Sequence, residues 1–142
     1  MSTEGGGGRT VAIAVACACG AAAVRQVSQF VGRDGPWWDA EFSCDGCGLR
    51  MCEYAGPGPA PDAAWRRALV AVHGTARLRS AGPLPRAVAA MKVFREVHAV
   101  PPARARELVE QLGRDGVPGT VPELEFLASR MRGAGVPVVL DE

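Results

Sequence analysis

Residues 17–48 read CACGAAAVRQVSQFVGRDGPWWDAEFSCDGCG. The stretch opens on Cys-x-Cys-Gly and closes on Cys-x-x-Cys-Gly, with 24 residues between the two cysteine pairs. Within it VRQVSQFV (24–31) and PWWDAEFS (36–43) read as strands, and Gly32-Arg33-Asp34-Gly35 is a turn signal between them. A hairpin folded this way carries a short Cys loop at each outer end. Upstream, TVAIAVAC alternates bulky and small residues, so Val11, Ile13 and Val15 share one face of a further strand. Downstream, LRMCEY (49–54) is a short fourth strand. Residues 1–9 (MSTEGGGGR) read as a disordered Gly-rich tail.

The chain holds five cysteines, at 17, 19, 44, 47 and 52, and none later. An odd, clustered set in pairs suits a metal site better than a disulfide framework. Zinc takes four soft ligands in a tetrahedron, and Cys17, Cys19, Cys44 and Cys47 supply them. Gly20 and Gly48, each after the second Cys of its pair, let the chain turn tightly so that backbone N–H groups face the thiolates. A segment of this size has little core of its own. A structural Zn2+ would add about 10 kcal/mol or more to its folding. Free buried thiols and a redox pair are the competing readings, although no βαβ pattern accompanies the pairs as thioredoxin-like chemistry requires. Cys52 is the spare and could replace any of the four. The arrangement resembles a zinc ribbon, with the first pair spaced Cys-x-Cys where the ribbon has Cys-x-x-Cys.

The C-terminal half has a different grammar. AGPGPAP (55–61) is a linker by composition and marks the domain boundary. AAWRRALVAVH (63–73) follows, either a helix capped by Asp62 with Trp65, Leu69 and Val72 on one face, or a buried strand at ALVAV. TARLRSAG reads as a strand, LPRAVAAMKVFREVH as a helix, and Pro101-Pro102 break it and start the helix ARARELVEQL. GRDGVPG is a turn or short strand. Thr120-Val121-Pro122-Glu123 is a capping box that opens a helix burying Leu124, Leu127, Ala128 and Met131. VPVVL closes the chain as a strand.

The helix at 84–98 carries two apolar stripes. Ala87, Ala90, Phe94 and Val97 form one, and Val88 and Met91 a second beside it, with Lys92 and Arg95 adjacent. Only one stripe can meet a three-stranded sheet. The second is either part of a wide buried face or an exposed patch rimmed by Lys92, Arg95 and Arg106, suited to a protein partner with an acidic surface. The run AMKVFREVHAVPPARARELVE, the TVPE cap, the helix LEFLASRMRGAG and the strand VPVVL resemble the C-terminal domain of the bacterial large-subunit ribosomal stalk protein over residues 75–142. That resemblance implies a β-α-α-β-α-β order, with a three-stranded antiparallel sheet covered by three helices. It also implies binding of translation GTPases through Val88, Met91, Lys92, Arg95 and Arg106. The family's Gly-rich joint between the two helices is here Ala99-Val100-Pro101-Pro102, and its dimerisation helices are replaced by the Cys-rich segment.

Composition narrows the function. Residues 1–61 hold four Arg against six Asp/Glu, and residues 62–142 hold twelve Lys/Arg against nine. Neither half has the dense basic patch of a dedicated nucleic-acid binder. No Ser-His-Asp order, paired-carboxylate motif, phosphate loop or dinucleotide fingerprint is present. His98, near a helix C-terminus, is placed where a partly charged imidazole is favoured. Trp37-Trp38 pack around the metal knuckles or offer a stacking platform for a base. The apolar run at 10–24 is short for a membrane span and lacks the basic start of a signal peptide, so the expectation is a cytoplasmic protein. The expected architecture is α+β: a tail (1–9), a zinc-ribbon-like β module (10–55), a linker and helix (56–74) and a stalk-like domain (75–142). The expected function is a non-enzymatic protein-binding or adaptor protein with structural zinc, linked to translation. The alternative is a zinc-ribbon nucleic-acid binder whose C-terminal domain recruits a protein.

Overall fold

The computed structural model describes residues 8–84 and 86–142. The chain divides into two compact units, with the division between Gly74 and Thr75. Residues 1–7 of the expected tail lie outside the described residues. Arg9 belongs to the first strand, paired with Gln29.

The first unit is an antiparallel meander of β1 (Arg9–Ala16), β2 (Ala22–Gly32), β3 (Gly35–Ser43) and β4 (Arg50–Pro57), in the order β1-β2-β3-β4. Val11, Val27 and Ala40 lie side by side across three strands, and Gln29 pairs with Trp38. All five are buried. A sheet with such an apolar face needs a cover, and α1 (Ala63–His73) supplies it with Trp65 and Leu69. Residues 63–73 are therefore helix, not strand. The Asp62 carboxylate accepts the Ala64 N–H at 2.9 Å, and Gly74 ends the helix at φ +74°. The AGPGPAP segment is not the boundary between folded units. β4 continues through Pro57, and the helix beyond the linker belongs to the sheet's own core. Composition marks a flexible connection but not which core the next element completes.

Trp38 packs under α1, away from the cysteine loops, and Trp37 lies on the opposite face with its ring 6.4 Å from Phe30. The reading of the tryptophans as packing around the knuckles is thus corrected. That place is taken by Phe42 and Ala23, in a second small cluster with Cys17 and Cys44. Between the two clusters a bulge in β4 inserts Glu53, and Arg25 grips it with two hydrogen bonds of 2.6 and 3.0 Å. Hydrogen bonding to Arg25 holds the Glu53 carboxyl below its ordinary range and raises the guanidinium.

The second unit runs β5 (Ala76–Ser80), α2 (Ala87–His98), α3 (Pro102–Leu112), β6 (Val117–Gly119), α4 (Val121–Gly133) and β7 (Val138–Asp141), with an antiparallel sheet in the order β6-β5-β7. Leu78 from the central strand, Phe94, Leu112, Leu127, Met131 and Val136 have no exposed surface. α3 and α4 lie on the strands, and α2 packs chiefly on those two helices. The capping box forms in full: the Glu123 N–H reaches the Thr120 hydroxyl at 3.3 Å, and the Thr120 N–H reaches the Glu123 carboxylate at 3.0 Å. α2 ends on Ala99 in the left-handed region, φ +53°, a conformation that glycine adopts without penalty. Pro101 and Pro102 then open α3 from the N-cap and first helical position.

Two stability predictions follow from these ends. Thr120→Ala should lower the urea midpoint of the second unit, by about 1 kcal/mol for a lost cap. Ala99→Gly should raise it by about 0.5–1 kcal/mol, because relief of left-handed strain exceeds the added unfolded-state entropy.

Candidate metal centre

The meander brings the two cysteine loops together by topology alone. The β1–β2 and β3–β4 turns lie at the same end of an antiparallel sheet, and β2 and β3 run side by side between them. Cys17 and Cys19 flank the first turn, where the Gly20 N–H bonds back to the Cys17 carbonyl at 2.9 Å with Gly20 at φ +94°. Cys44 and Cys47 flank the second, where the Gly48 N–H bonds to the Cys44 carbonyl at 2.8 Å with Gly48 at φ +79°. Both backbones need the left-handed step that the glycines allow.

The four sulfurs lie within 4.8 Å of one another. Cys19 Sγ is 3.6 Å from Cys44 Sγ, and Cys17 Sγ is 3.8 Å from Cys47 Sγ. A zinc tetrathiolate with bonds of about 2.3 Å has tetrahedron edges of about 3.8 Å, so the contacts match the donor set in kind and size. Cys17 and Cys44 are buried, and Cys19 and Cys47 are exposed. Among the described residues no other group of three or more His, Cys, Asp or Glu side chains is placed to hold a metal.

The electrostatics suit a cation. Backbone N–H donation from Cys47 leads the causes that lower the Cys44 thiol to about 7, with the Cys19 thiol and the Gly46 N–H assisting against burial. The Ala21 N–H pulls Cys19 down, but the thiols of Cys17 and Cys44, with burial and Cys47, outweigh it and leave Cys19 raised to about 11. Cys44 thus gives up its proton readily and Cys19 holds its own, unless a positive ion replaces it.

Gly46 is a residue that spacing alone did not single out. A β-carbon there would stand 2.5 Å from the Ala21 methyl, with Cys44 Sγ and Cys19 Sγ at 3.5 and 3.6 Å. The two loops therefore pack glycine against alanine directly beneath the sulfurs. The only available signal was the small residue inside CDGCG. Cys52 lies on β4 opposite Glu41, 3.9 Å from an Asp39 carboxylate oxygen and outside the cluster.

The other anticipated site residues lie in the second unit. Val88 is 81% exposed on α2. Met91 is half-buried against the core, and Val93, on neither expected stripe, is buried. Lys92, Arg95 and Arg106 are exposed, and none forms an ion pair among the described residues. The second stripe is thus narrower than periodicity suggests, with Val88 as its exposed apolar member. His98 lies exposed at the end of α2 with its ring 5.6 Å from that of Phe94, and partial desolvation, ahead of the offsetting charge of Glu123, moves its imidazole below the ordinary value. Among the described residues no helix is long and apolar enough to cross a membrane.

Comparison with protein-family models, with curated proteins and with solved structures finds no match to this chain.

Gly46→Ala should weaken metal affinity by roughly tenfold to a hundredfold, the effect of overpacking a tight contact by 1–3 kcal/mol, as read by competition with a chromophoric chelator. In the unmodified chain the same titration should show affinity falling as pH drops through about 7, where protons reclaim Cys44.

Proposed function

We propose that the protein is a non-enzymatic adaptor: a zinc-ribbon-like unit held by structural Zn2+, joined to a β-α-α-β-α-β unit that docks a protein partner. The observation that carries the metal half is the pair of sulfur contacts at 3.6 and 3.8 Å within a four-sulfur cluster. A tetrathiolate with no weaker ligand leaves no open coordination position, which is the signature of a structural rather than a catalytic zinc. Its role is to clamp two loops that have only Ala23 and Phe42 as buried apolar neighbours of Cys17 and Cys44.

The docking half rests on α2 and α3. Val88 projects from α2, with Lys92 and Arg95 on the same helix and Arg106 on its packing neighbour. An exposed aliphatic rimmed by cations favours an acidic protein surface with an apolar centre. A translation factor is the partner class that the stalk-like order of elements suggests. The nucleic-acid reading has less support, because the unit bearing the tryptophans is not basic and Trp38 is buried.

Metal analysis should return one zinc per chain. Cys44→Ser should leave residues 8–74 sensitive to limited proteolysis while residues 75–142 keep their protection. Zinc-free preparations with full protease resistance of the first unit would refute the structural role. For the surface, Val88→Asp/Arg95→Glu should abolish partner capture in a pull-down without changing the melting temperature. Identical captures by wild type and variant would place the interface elsewhere.

A further inference from the structure

The two sheets of the described residues have four edge strands, and three are blunted. β4 carries a bulge at Glu53 and ends on Pro57. β6 is three residues long with Pro118 at its centre. β7 has its Val138 carbonyl taken by the Arg132 guanidinium at 3.1 Å. Charge, proline, bulges and side-chain cover are the devices that stop an edge from recruiting another strand. β1 has almost none of them. From Val11 to Ala16 it reads VAIAVA, with no charge, no proline and a regular register against β2.

Two independent contacts show which backbone groups β1 leaves free. The Cys17 N–H bonds to the Ala21 carbonyl at 3.0 Å in the turn, so the odd-numbered residues of β1 bond toward β2. The even-numbered residues then point outward. His73 agrees, because its Nε2 lies 2.8 Å from the Thr10 carbonyl, capping the first outward group. Beyond it Ala12, Ala14 and Ala16 are exposed, and their methyl side chains do not shield the backbone. On the helix-covered face, Ile13 and Val15 are half-buried where the more central Val27 has no exposed surface.

We propose that β1 pairs with β1 of a second copy of this chain, antiparallel about a two-fold axis at Ala14, joining two four-stranded sheets into one. In this register Ala14 faces its own copy, and Ala12 faces Ala16. Each of the three exchanges N–H and C=O bonds with its partner. Ile13 of one chain meets Val15 of the other, so the half-buried aliphatics cover each other. The occupant is a second copy because the edge selects for nothing else. It has no charged or hydrogen-bonding side chain with which to choose a foreign strand, whereas a strand of this kind matches itself under two-fold symmetry. The inference is independent of the α2 surface.

The test is size-exclusion chromatography with light scattering on the full zinc-loaded chain over micromolar concentrations. Wild type should approach twice the 14.8 kDa chain mass. Ala14→Pro removes the outward N–H without touching a bond to β2 and should elute as monomer with unchanged metal content. Ala14→Lys, which sets two like charges directly opposite one another, should also be monomeric. Ala14→Val keeps the N–H and should remain dimeric. A monomeric wild type at every concentration overturns the proposal, as does a dimer that survives Ala14→Pro. Should the proline variant lose its metal, the lysine and valine variants decide: equal dimerisation of the two overturns the pairing.

Discussion

Four sulfurs at one end of a meander impose the strongest local constraint in this protein. The turns that carry them are short, and each needs a left-handed glycine. The loops touch through Gly46 and Ala21, where not even a β-carbon fits. Contact between the Cys19 and Cys44 thiols lowers one proton affinity and raises the other, and Cys17 and Cys44 are buried from water. A soft divalent ion held by these cysteines would replace thiol protons with one central charge. The apolar core at that end is Ala23 and Phe42, with Val15 and Ala21 only partly buried, so hydrophobic burial alone has little to work with.

The remainder of the first unit holds together by other means. One face of the sheet is closed by a single helix, whose Trp65 and Leu69 complete a cluster around Trp38. The Arg25–Glu53 pair lies between this cluster and the cysteine end, on a strand distorted by a bulge. Its side chains are about a quarter and a fifth exposed, so it serves better as a fixed, satisfied polar contact than as a large source of stability. The second unit needs no such device. Its seventeen-residue buried cluster draws on every helix and strand it has, and α4 is closed by a complete capping box.

Local chemistry was legible in residues whose role is settled within a few positions. The cysteine pairs with their glycines, the turn at 32–35, the Thr120–Glu123 box and the proline start of α3 all appear where their chemistry requires. Strand alternation in TVAIAVAC set Val11, Ile13 and Val15 on the covered face. What failed were particular readings that required knowing the neighbour. AGPGPAP looks like a boundary, yet Trp65 and Leu69 beyond it complete the core before it. Two tryptophans look like knuckle packing, but alternation sends Trp37 and Trp38 to opposite faces, and only Trp38 meets a helix. Met91 looks free on its stripe but is half-covered by its own domain.

The amino-acid sequence by itself determined the paired cysteines and the helix and turn signals, because each depends on residue type and spacing along a few turns of chain. Only the tertiary structure decided which face each element buries, which cysteine is excluded, and which sheet edge is left open. Those outcomes depend on packing between segments tens of residues apart, and no local pattern encodes the shape of the surface that a segment will meet.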